Sequence, residues 1–383
     1  ENLGADIMID DANEGHWVKA EAPARIDLSG GWSDTPPITN EHGGKVTNVA
    51  VKVDGKRPIG AKIRKIPKLE LVFVLCSGTE KQTIKCETLD DLKDHSNPGA
   101  PGALLKTAFL CTKTVSLSST ELPLEKQLER NHGCGFEIYT WSYLPHGSGM
   151  GTSSILAGVV CAAIWKITSR DYNNQELLHL VVEVEQMLTT GGGWQDQVGG
   201  LLPGVKLTTS PARLPIQVQP ELLEVSGGTL EKVKTNMALI YTGKTRLAKN
   251  LLQKVLDRWR SRTPEIVQNV DDLTSNAEIC ADAWRKGDLE KMGQVLNTYR
   301  EQKKIMAPDS EPREICEIIN SVKPHVHGCC LAGAGGGGYL FVITKQPNQH
   351  EELKRILQNL STQNNLYTVH RIEVDTEGLT VTE

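Results

Sequence analysis

The sequence predicts an α+β protein of two domains, and three observations support this prediction. The chain has 383 residues, a length that typically accommodates two domains rather than one. Segments of strand and helix character are mixed along it without a regular alternation and without an internal repeat. Around residues 205–235 the chain is broken up by prolines, namely Pro203, Pro211, Pro215 and Pro220. We therefore place a domain boundary there and divide the chain into residues 1–209 and 210–383.

The composition excludes several classes of function. The net charge is −5, and the chain has no long basic run, which argues against nucleic acid or an anionic membrane as a partner. No apolar run approaches the roughly 18 residues of a membrane span. The nine cysteines are scattered and include no Cys-x-x-Cys pair. This pattern favours reduced thiols in a cytoplasmic protein over disulfides or a zinc site.

The first half is predicted to combine a set of strands with three helices. Alternating or β-branched segments predict strands at residues 17–22, 45–53, 58–66, 69–75 and 136–143. Apolar periodicity predicts helices at residues 103–115, 155–167 and 174–188. We expect loops at residues 121–135, which are rich in charge, and at residues 23–37, where Gly and Pro punctuate a stretch that contains Arg25, Asp27, Trp32 and Asp34.

The second half is predicted to be richer in helices. Strands are expected at residues 237–242, 339–343 and 366–374. Helices are expected at residues 247–260, 265–286, 289–306, 312–321 and 353–360, with Gly287 and Asp288 as end and start signals. The glycines of residues 331–338 have apolar neighbours on both sides, which favours a packed loop over a flexible linker.

The stretch Leu-Pro-His-Gly-Ser-Gly-Met-Gly-Thr-Ser-Ser, residues 144–154, carries the strongest chemical signal. It joins a predicted strand to a predicted helix, so its glycines let the backbone approach a ligand at a helix N-terminus. Free N–H groups and the helix dipole at that end suit phosphate. The lysine of a Walker A loop is missing, and the spacing does not fit a dinucleotide fingerprint. A tight turn without a ligand is the alternative.

Two carboxylates in the next segment have unusual surroundings. On a helical wheel Glu183 points to solvent, whereas Glu185 falls on the apolar face, where a carboxylate is costly unless it is paired or binds a cation. A salt bridge and a metal site are both compatible with this position. Asp196 follows three glycines and is expected on a loop, either as a turn cap or as a catalytic carboxylate.

Three motifs, occurring in this order, resemble the GHMP small-molecule kinases, a family that includes galactokinase, homoserine kinase and mevalonate kinase. They are residues 23–34, 145–154 and 331–339, and the resemblance extends over residues 23–343. It implies an N-terminal ribosomal-protein-S5-like α/β domain and a C-terminal ferredoxin-like α+β domain. It also implies transfer of a phosphoryl group from ATP to a small molecule.

The resemblance implies roles on the nucleotide side. The ATP phosphates are expected against the third motif at Gly335 and against the second motif, that is Pro145, His146, Gly147, Ser148, Gly149, Met150 and Gly151. Ser153, with Thr152 beside it, and Glu185 are expected to hold Mg²⁺. Arg25 is expected to neutralise charge at the reacting phosphate.

On the acceptor side the resemblance implies that Asp196 takes the proton of the reacting hydroxyl, or at least orients that hydroxyl. Asp34 matches the carboxylate that binds sugar hydroxyls in galactokinases. Gly31 and Trp32 replace the Glu-His pair of those enzymes, which suggests a less polar sugar with a methyl group against Trp32. Gly193 and Arg246 are further candidates for substrate contacts.

Within the family, the segments 29–37, 42–48, 193–197 and 241–246 resemble the L-fucokinase branch. The expected partners are therefore L-fucose and ATP. An additional N-terminal domain is also expected, since fucokinases are usually longer chains. Bacterial heptose 7-phosphate kinases share much of the pattern, and a silent sugar or nucleotide sensor is a third possibility. The presence of Arg25, Glu185 and Asp196 together argues against a silent protein.

Overall fold

The computed structural model describes residues 16–118, 122–145, 147–244, 248–360 and 367–383, which form one mixed and one antiparallel β-sheet with helices packed against them. The strands in these ranges are β1 Val18–Ala22, β2 Ala24–Ser29, β3 Gly44–Val53, β4 Ile59–Ile66, β5 Leu71–Ser77, β6 Glu80–Cys86, β7 Gly135–Ser142, β8 Val205–Ser210, β9 Gln219–Leu222, β10 Met237–Tyr241, β11 Val326–Leu331, β12 Tyr339–Thr344, β13 Thr368–Val374 and β14 Thr380–Thr382.

The α-helices in the same ranges vary from four to 23 residues. They are α1 Ile38–Glu41, α2 Ala103–Cys111, α3 Leu124–His132, α4 Thr152–Ile167, α5 Asn174–Met187, α6 Gln195–Leu201, α7 Gly227–Asn236, α8 Ala248–Arg260, α9 Pro264–Lys286, α10 Leu289–Met306, α11 Arg313–Val322 and α12 His350–Gln358. Short 3₁₀ helices cover Leu89–Ser96, Pro308–Ser310 and Lys323–His325.

The first sheet has the strand order β14-β1-β4-β7-β5-β6, and its strands pair antiparallel except for the parallel pair β5–β7. Helices α2, α4 and α5 pack together on it and contribute to one hydrophobic core. Helix α4 is apolar along almost its whole length, and twelve of its sixteen residues are buried. A helix that is apolar all round can only be stable between other layers, so α4 lies at the centre of this core.

The second sheet joins strands from both halves of the chain, in the order β11-β12-β10-β13-β3-β8-β9, with β2 also paired to β3. Helices α9 and α10 share one core with β2, β3 and β12, and a smaller core is formed with α11 and α12. The first sheet also contains a strand from the end of the chain, because β14 pairs with β1. The boundary at residues 209–210 stays a prediction, and β8 ends at Ser210.

Most of the predicted elements are confirmed, including the helix with Glu185 on its buried face and the packed glycine loop, which joins β11 to β12. Three loop predictions are wrong, at residues 24–29, at residues 124–132 and at Asp196. Residues 24–29 form strand β2, whose six residues are all buried, so the alternation that identifies a half-buried strand is missing. Residues 124–132 form α3, a largely charged helix held by the narrow apolar face of Leu124 and Leu128.

In the described ranges no helix is long and apolar enough to cross a membrane. All nine cysteines are free thiols, and eight of them are buried. Burial raises the pKa of these thiols, that of Cys86 to about 11, and a buried protonated thiol packs as a small apolar side chain.

Candidate active site

Arg25 lies at the centre of the candidate site, on strand β2. Its backbone N–H donates to Met150 O over 3.3 Å, which fixes the strand beside the second glycine motif. Its side chain is only 3% exposed. The guanidinium donates from Nη1 to Gly149 O over 2.7 Å and from Nε to Asp196 Oδ1 over 2.8 Å, with a second bond from Nη2 to the same oxygen. Arg25 therefore connects the predicted phosphate loop to the predicted base.

Asp196 lies in the first turn of α6, a short helix, and not on a loop as the sequence suggested. Helix α5 ends at Met187, and the three glycines that follow before α6 predict a loop, which hides the start of the second helix. The Asp196 side chain is 29% exposed, in contrast to Arg25. Burial opposes the charge of Arg25, but the carboxylates of Asp196 and Asp27 outweigh it and raise the arginine pKa. Arg25 is thus a permanent cation.

The second and third glycine motifs touch backbone to backbone. A Cβ on Gly149, whose φ is +77°, would lie 2.2 Å from Ala332 O. A Cβ on Gly338 would lie 2.3 Å from Ser148 O, the same oxygen that accepts a hydrogen bond from Tyr339 N over 3.1 Å. Side chains at these two positions are sterically excluded, which explains why glycine occupies them.

The glycine motifs meet at the start of α4. Gly147, Gly149 and Gly151 all have positive φ, and Gly151 is the N-cap without a side-chain hydrogen bond. The first N–H groups of α4 therefore have no partner within the helix. His146 lies outside the described residues. The structure does describe Pro145 and Met150 of the second motif and Gly335 of the third. The arrangement suits an anion at the helix N-terminus.

Glu185 reaches this helix start from α5. It is 5% exposed and accepts hydrogen bonds from Ser154 Oγ at 2.7 Å and from Thr190 Oγ1. Burial raises the pKa of this carboxyl, although the two hydroxyls oppose the shift. The hydroxyl in contact is that of Ser154, whereas Ser153 is exposed and Thr152 half-buried. The role of Ser153 as a metal ligand stays a prediction.

The donors around Glu185 fit Mg²⁺. In the described residues no group of three His, Cys, Asp or Glu side chains could hold a metal ion. Mg²⁺ does not need such a group, since it usually binds one or two carboxylates together with substrate phosphates and water. Glu185 supplies one carboxylate, and its two hydroxyl neighbours are neutral. A cation there would offset a buried negative charge, so the residues present fit the metal.

Asp34 forms the other side of the site. It is fully buried, and Gln195 donates to it twice over 3.1 Å, from its backbone N–H and from Nε2. Burial, together with the nearby charge of Asp196, raises the pKa of Asp34 to about 7. Gly193 is required beside it, because a Cβ there would lie 1.9 Å from Asp34 Oδ2. Arg246 lies outside the described residues.

Trp32 is held in the wall of the site rather than projecting from it. It has a φ of +79° and is only 7% exposed. It belongs to the core shared by α9 and α10. Its Nε1 is buried and has no hydrogen-bond partner among the described residues. Contact between this indole and a sugar methyl stays a prediction.

Sequence reasoning assigned no role to the charged cluster beneath Arg25. Asp27, 2% exposed, accepts hydrogen bonds from Tyr299 OH at 2.7 Å and from Gly333 N at 2.6 Å. Lys303 Nζ lies 2.9 Å from the same carboxylate. A signal existed, because Lys303 falls four residues after Tyr299, on the buried face of α10. On a helical wheel Lys303, like Glu185, is a charged residue on an apolar face.

Comparison with known proteins places this site in a family. The model of the GHMP kinases N terminal domain matches residues 121–204, and that of the GHMP kinases C terminal matches residues 279–362. The chain is 31% identical over 341 residues to the bifunctional fucokinase/GDP-fucose pyrophosphorylase of Arabidopsis thaliana, covering 89% of this chain and 31% of the relative. It is 32% identical over 346 residues to the L-fucokinase/L-fucose-1-P guanylyltransferase of Bacteroides fragilis, covering 89% and 36%.

The fold agrees with this placement. The crystal structure of a D-glycero-D-manno-heptose 1-phosphate kinase from Bacteriodes thetaiotaomicron superposes with a TM-score of 0.67 at 18% identity, covering 96% of this chain and 99% of that one. This likeness confirms the predicted two-domain α+β fold. The chain spans about a third of the length of the two curated relatives. Because both halves of the fold match in order, the chain belongs to the GHMP kinase family.

Proposed function

We propose that this chain catalyses ATP-dependent phosphorylation of L-fucose at its anomeric hydroxyl, giving β-L-fucose 1-phosphate and ADP. The observation that carries the proposal is the position of Arg25, which donates to both Gly149 O and Asp196 Oδ1. One fixed cation thereby touches the nucleotide side and the acceptor side of the site. The similarity to two fucokinases at 31% and 32% identity supports the choice of sugar.

The chemistry follows from the geometry of these groups. Phosphoryl transfer needs alignment and charge neutralisation more than covalent help. The N–H groups at the start of α4 bind the phosphates, and Arg25 stabilises the charge that develops on the transferred group. The sugar oxygen forms a bond to the γ-phosphorus as the bond from that phosphorus to the β–γ bridging oxygen breaks. The hydroxyl proton goes to Asp196, and ADP leaves.

The carboxylate of Asp196 has an oxygen left for this role. Arg25 bonds to Oδ1 only, so Oδ2 can face the reacting hydroxyl. We assign Asp34 to the orientation of the sugar; because it is fully buried and bonded to Gln195, a sugar hydroxyl would reach its Oδ1 in place of the Gln195 amide. Glu185, with Ser153 or Ser154, would hold Mg²⁺, which supplies further neutralisation of the phosphates.

A coupled assay of ADP release over a panel of sugars tests the proposal. We expect turnover with L-fucose that exceeds turnover with D-galactose and with a heptose phosphate. Asp196→Ala is expected to lower turnover about 10²–10⁴-fold, with ATP affinity nearly unchanged because Asp196 acts on the acceptor hydroxyl and not on the phosphates. Turnover only with a heptose phosphate would refute the fucose assignment. Nucleotide binding without any turnover would instead favour a sensor.

A further inference from the structure

Asp27 is a buried carboxylate with four donors from three parts of the fold. Arg25 Nη1 approaches Oδ1 at 3.2 Å from the same strand. Tyr299 OH and Lys303 Nζ approach Oδ2 at 2.7 Å and 2.9 Å from α10. Gly333 N donates to Oδ1 over 2.6 Å from the third glycine motif. Four donors saturate most of the lone pairs of one carboxylate, so its orientation is fixed.

Arg25 is held by this carboxylate on the side away from Asp196. A guanidinium has five N–H donors. Nε and Nη2 reach Asp196, while Nη1 reaches Asp27 and Gly149 O. Four of the five donors are therefore engaged by described residues, and one on Nη2 is left for a ligand. Asp27 and Asp196 clamp the guanidinium from both sides, so a change at Asp27 would rotate the donor that faces the phosphate.

Lys303 balances the charge of this clamp. Arg25 and Lys303 carry two positive charges against the two negative charges of Asp27 and Asp196, and both cations are at most 4% exposed. Lys303 also donates to Leu331 O over 2.7 Å, at the end of β11 just before the third glycine motif. Without Lys303, the buried charges of Arg25 and Asp27 and the partly exposed charge of Asp196 would remain, with a net charge of −1.

We infer that Asp27, Tyr299 and Lys303 are positioning residues. Together they hold the guanidinium of Arg25 in a fixed position relative to the third glycine motif. The inference rests on the proposed phosphoryl transfer, which gives Arg25 its role. None of the three side chains needs to touch a substrate. Their effect is expected on the chemical step, since a misplacement of about 1 Å at a reacting group can cost about 10²-fold in rate.

The test compares Lys303→Met with Arg300→Met, a matched loss of a cation on the same helix. Arg300 forms a partly buried ion pair with Glu311, away from Asp27. For Lys303→Met we expect kcat to fall about 10–100-fold with KM for sugar and ATP within about threefold. Arg300→Met should keep kcat within about twofold of the parent. A merely structural role would lower the yield of folded protein and leave kcat per folded molecule unchanged.

Tyr299→Phe keeps the inference falsifiable if Lys303→Met does not fold, and a double variant tests it further if Lys303→Met does fold. Tyr299→Phe removes one hydroxyl from Asp27 and is expected to lower kcat about 3–10-fold, again without a change in KM. Asp27→Asn combined with Lys303→Met should be no worse than the worse single variant, because both act through one carboxylate. Unchanged kcat in Tyr299→Phe, or additive losses in the double variant, would refute the inference.

The wild-type protein separates this inference from the proposed function. All variants are assayed with whichever sugar the wild type phosphorylates fastest. Turnover of another sugar in place of L-fucose would refute the substrate assignment and leave the comparison of variants intact. Absence of turnover with every sugar would refute the proposed function, and the inference with it. Normal kcat in the variants of an active wild type would refute the inference alone.

Discussion

Glu185 and Lys303 are both charged residues on the apolar face of a long helix, and they are 5% and 3% exposed. Their surroundings differ. Glu185 accepts hydrogen bonds from two neutral hydroxyls, and in the described part of the chain no cation pairs with it. Lys303 faces the carboxylate of Asp27 and the carbonyl of Leu331. One buried charge is therefore uncompensated within the protein, and the other is paired.

This difference distinguishes a residue that binds a ligand from a residue that stabilises the local structure. An unpaired buried charge costs free energy until a counter-ion binds, so burial of Glu185 favours the binding of a cation. A paired buried charge costs free energy when its partner is removed. The local structure around Lys303 therefore depends on its ion pair with Asp27. Hydropathy alone does not separate the two cases, since both residues interrupt an apolar face. The partners decide the role.

The largest effect is expected for Lys303→Met on stability. The change leaves Asp27 buried with Arg25 as its remaining cation, and we expect the free energy of unfolding to fall by about 3 kcal/mol. The neighbouring Lys304 pairs with Glu301 at the surface, so Lys304→Met is the control and should change stability by less than about 0.5 kcal/mol. Urea unfolding measures both. A loss of under about 1 kcal/mol in Lys303→Met would show that the pair is not supporting the fold.

The second prediction concerns the metal. Glu185→Gln keeps the shape and the hydroxyl contacts but removes the charge that attracts a cation. We expect the Mg²⁺ concentration for half-maximal activity to rise at least about tenfold, a typical cost of removing a ligand or its close partner. Glu183, exposed on the same helix, gives the control Glu183→Gln, which should leave the requirement unchanged. An unchanged requirement in Glu185→Gln would mean that this carboxylate does not hold the metal.

Asp34 extends the comparison to the sugar side. It resembles Glu185, since it is fully buried and its hydrogen-bond partners are the neutral N–H groups of Gln195. With a pKa near 7, its ionised fraction rises from about a tenth to about nine tenths between pH 6 and pH 8. A carboxylate accepts stronger hydrogen bonds than a carboxylic acid, so sugar affinity should rise up to about ninefold over that range.

Calorimetric titration of L-fucose with a non-hydrolysable ATP analogue measures this dependence. Asp34→Asn has no ionisation at this position, and its sugar affinity should be low and flat over the same range of pH. A flat profile in the wild type would show that the protonation state of Asp34 does not control sugar binding. A fall in affinity as pH rises would indicate instead that the protonated form is the one that binds.

The sequence predicted the parts of the site that depend on local signals. The glycine motif before α4, the apolar-face position of Glu185 and the spacing of Arg25 and Asp34 are all local. The strand that carries Arg25 lacks a local signal, because six buried residues in a row show no alternation. The start of α6 at Gln195, one residue before Asp196, follows three glycines that predict a loop.

Other parts depend on contacts between distant elements. Three hydroxyl residues open α4, and successive residues of a helix point about 100° apart. Which of them meets Glu185 is therefore set by the packing of α4 on α5, and the structure gives Ser154. The pairing of Lys303 with Asp27 joins residues 276 positions apart, since 303 − 27 = 276. No local pattern contains that distance.

The smallest effect is expected on the free energy of unfolding of Glu185→Gln without metal. It should rise, whereas that of Lys303→Met should fall. Burial raises the pKa of Glu185 above its ordinary value of 4.5, so above that value the unfolded chain gives up this proton more readily than the folded one. The stability of the wild type should therefore fall as pH rises from 4.5 through the raised pKa. Glu185→Gln escapes this loss and should be more stable at neutral pH by about 1 kcal/mol.

Asp27 should behave in the reverse way, which makes pH a direct test of the comparison. Burial opposes its ionisation, but Lys303 and Arg25 outweigh burial and lower its pKa below 3.8. Its contribution to stability is therefore present above pH 3.8 and lost as pH falls through the lowered value. Urea midpoints of the wild type, Glu185→Gln and Asp27→Asn, measured without Mg²⁺ from acid to neutral pH, separate the two signs. If the stability of Glu185→Gln relative to the wild type does not increase from acid to neutral pH, then the charge of Glu185 is compensated within the protein, as that of Asp27 is. Burial of Glu185 would then provide no driving force for binding a cation.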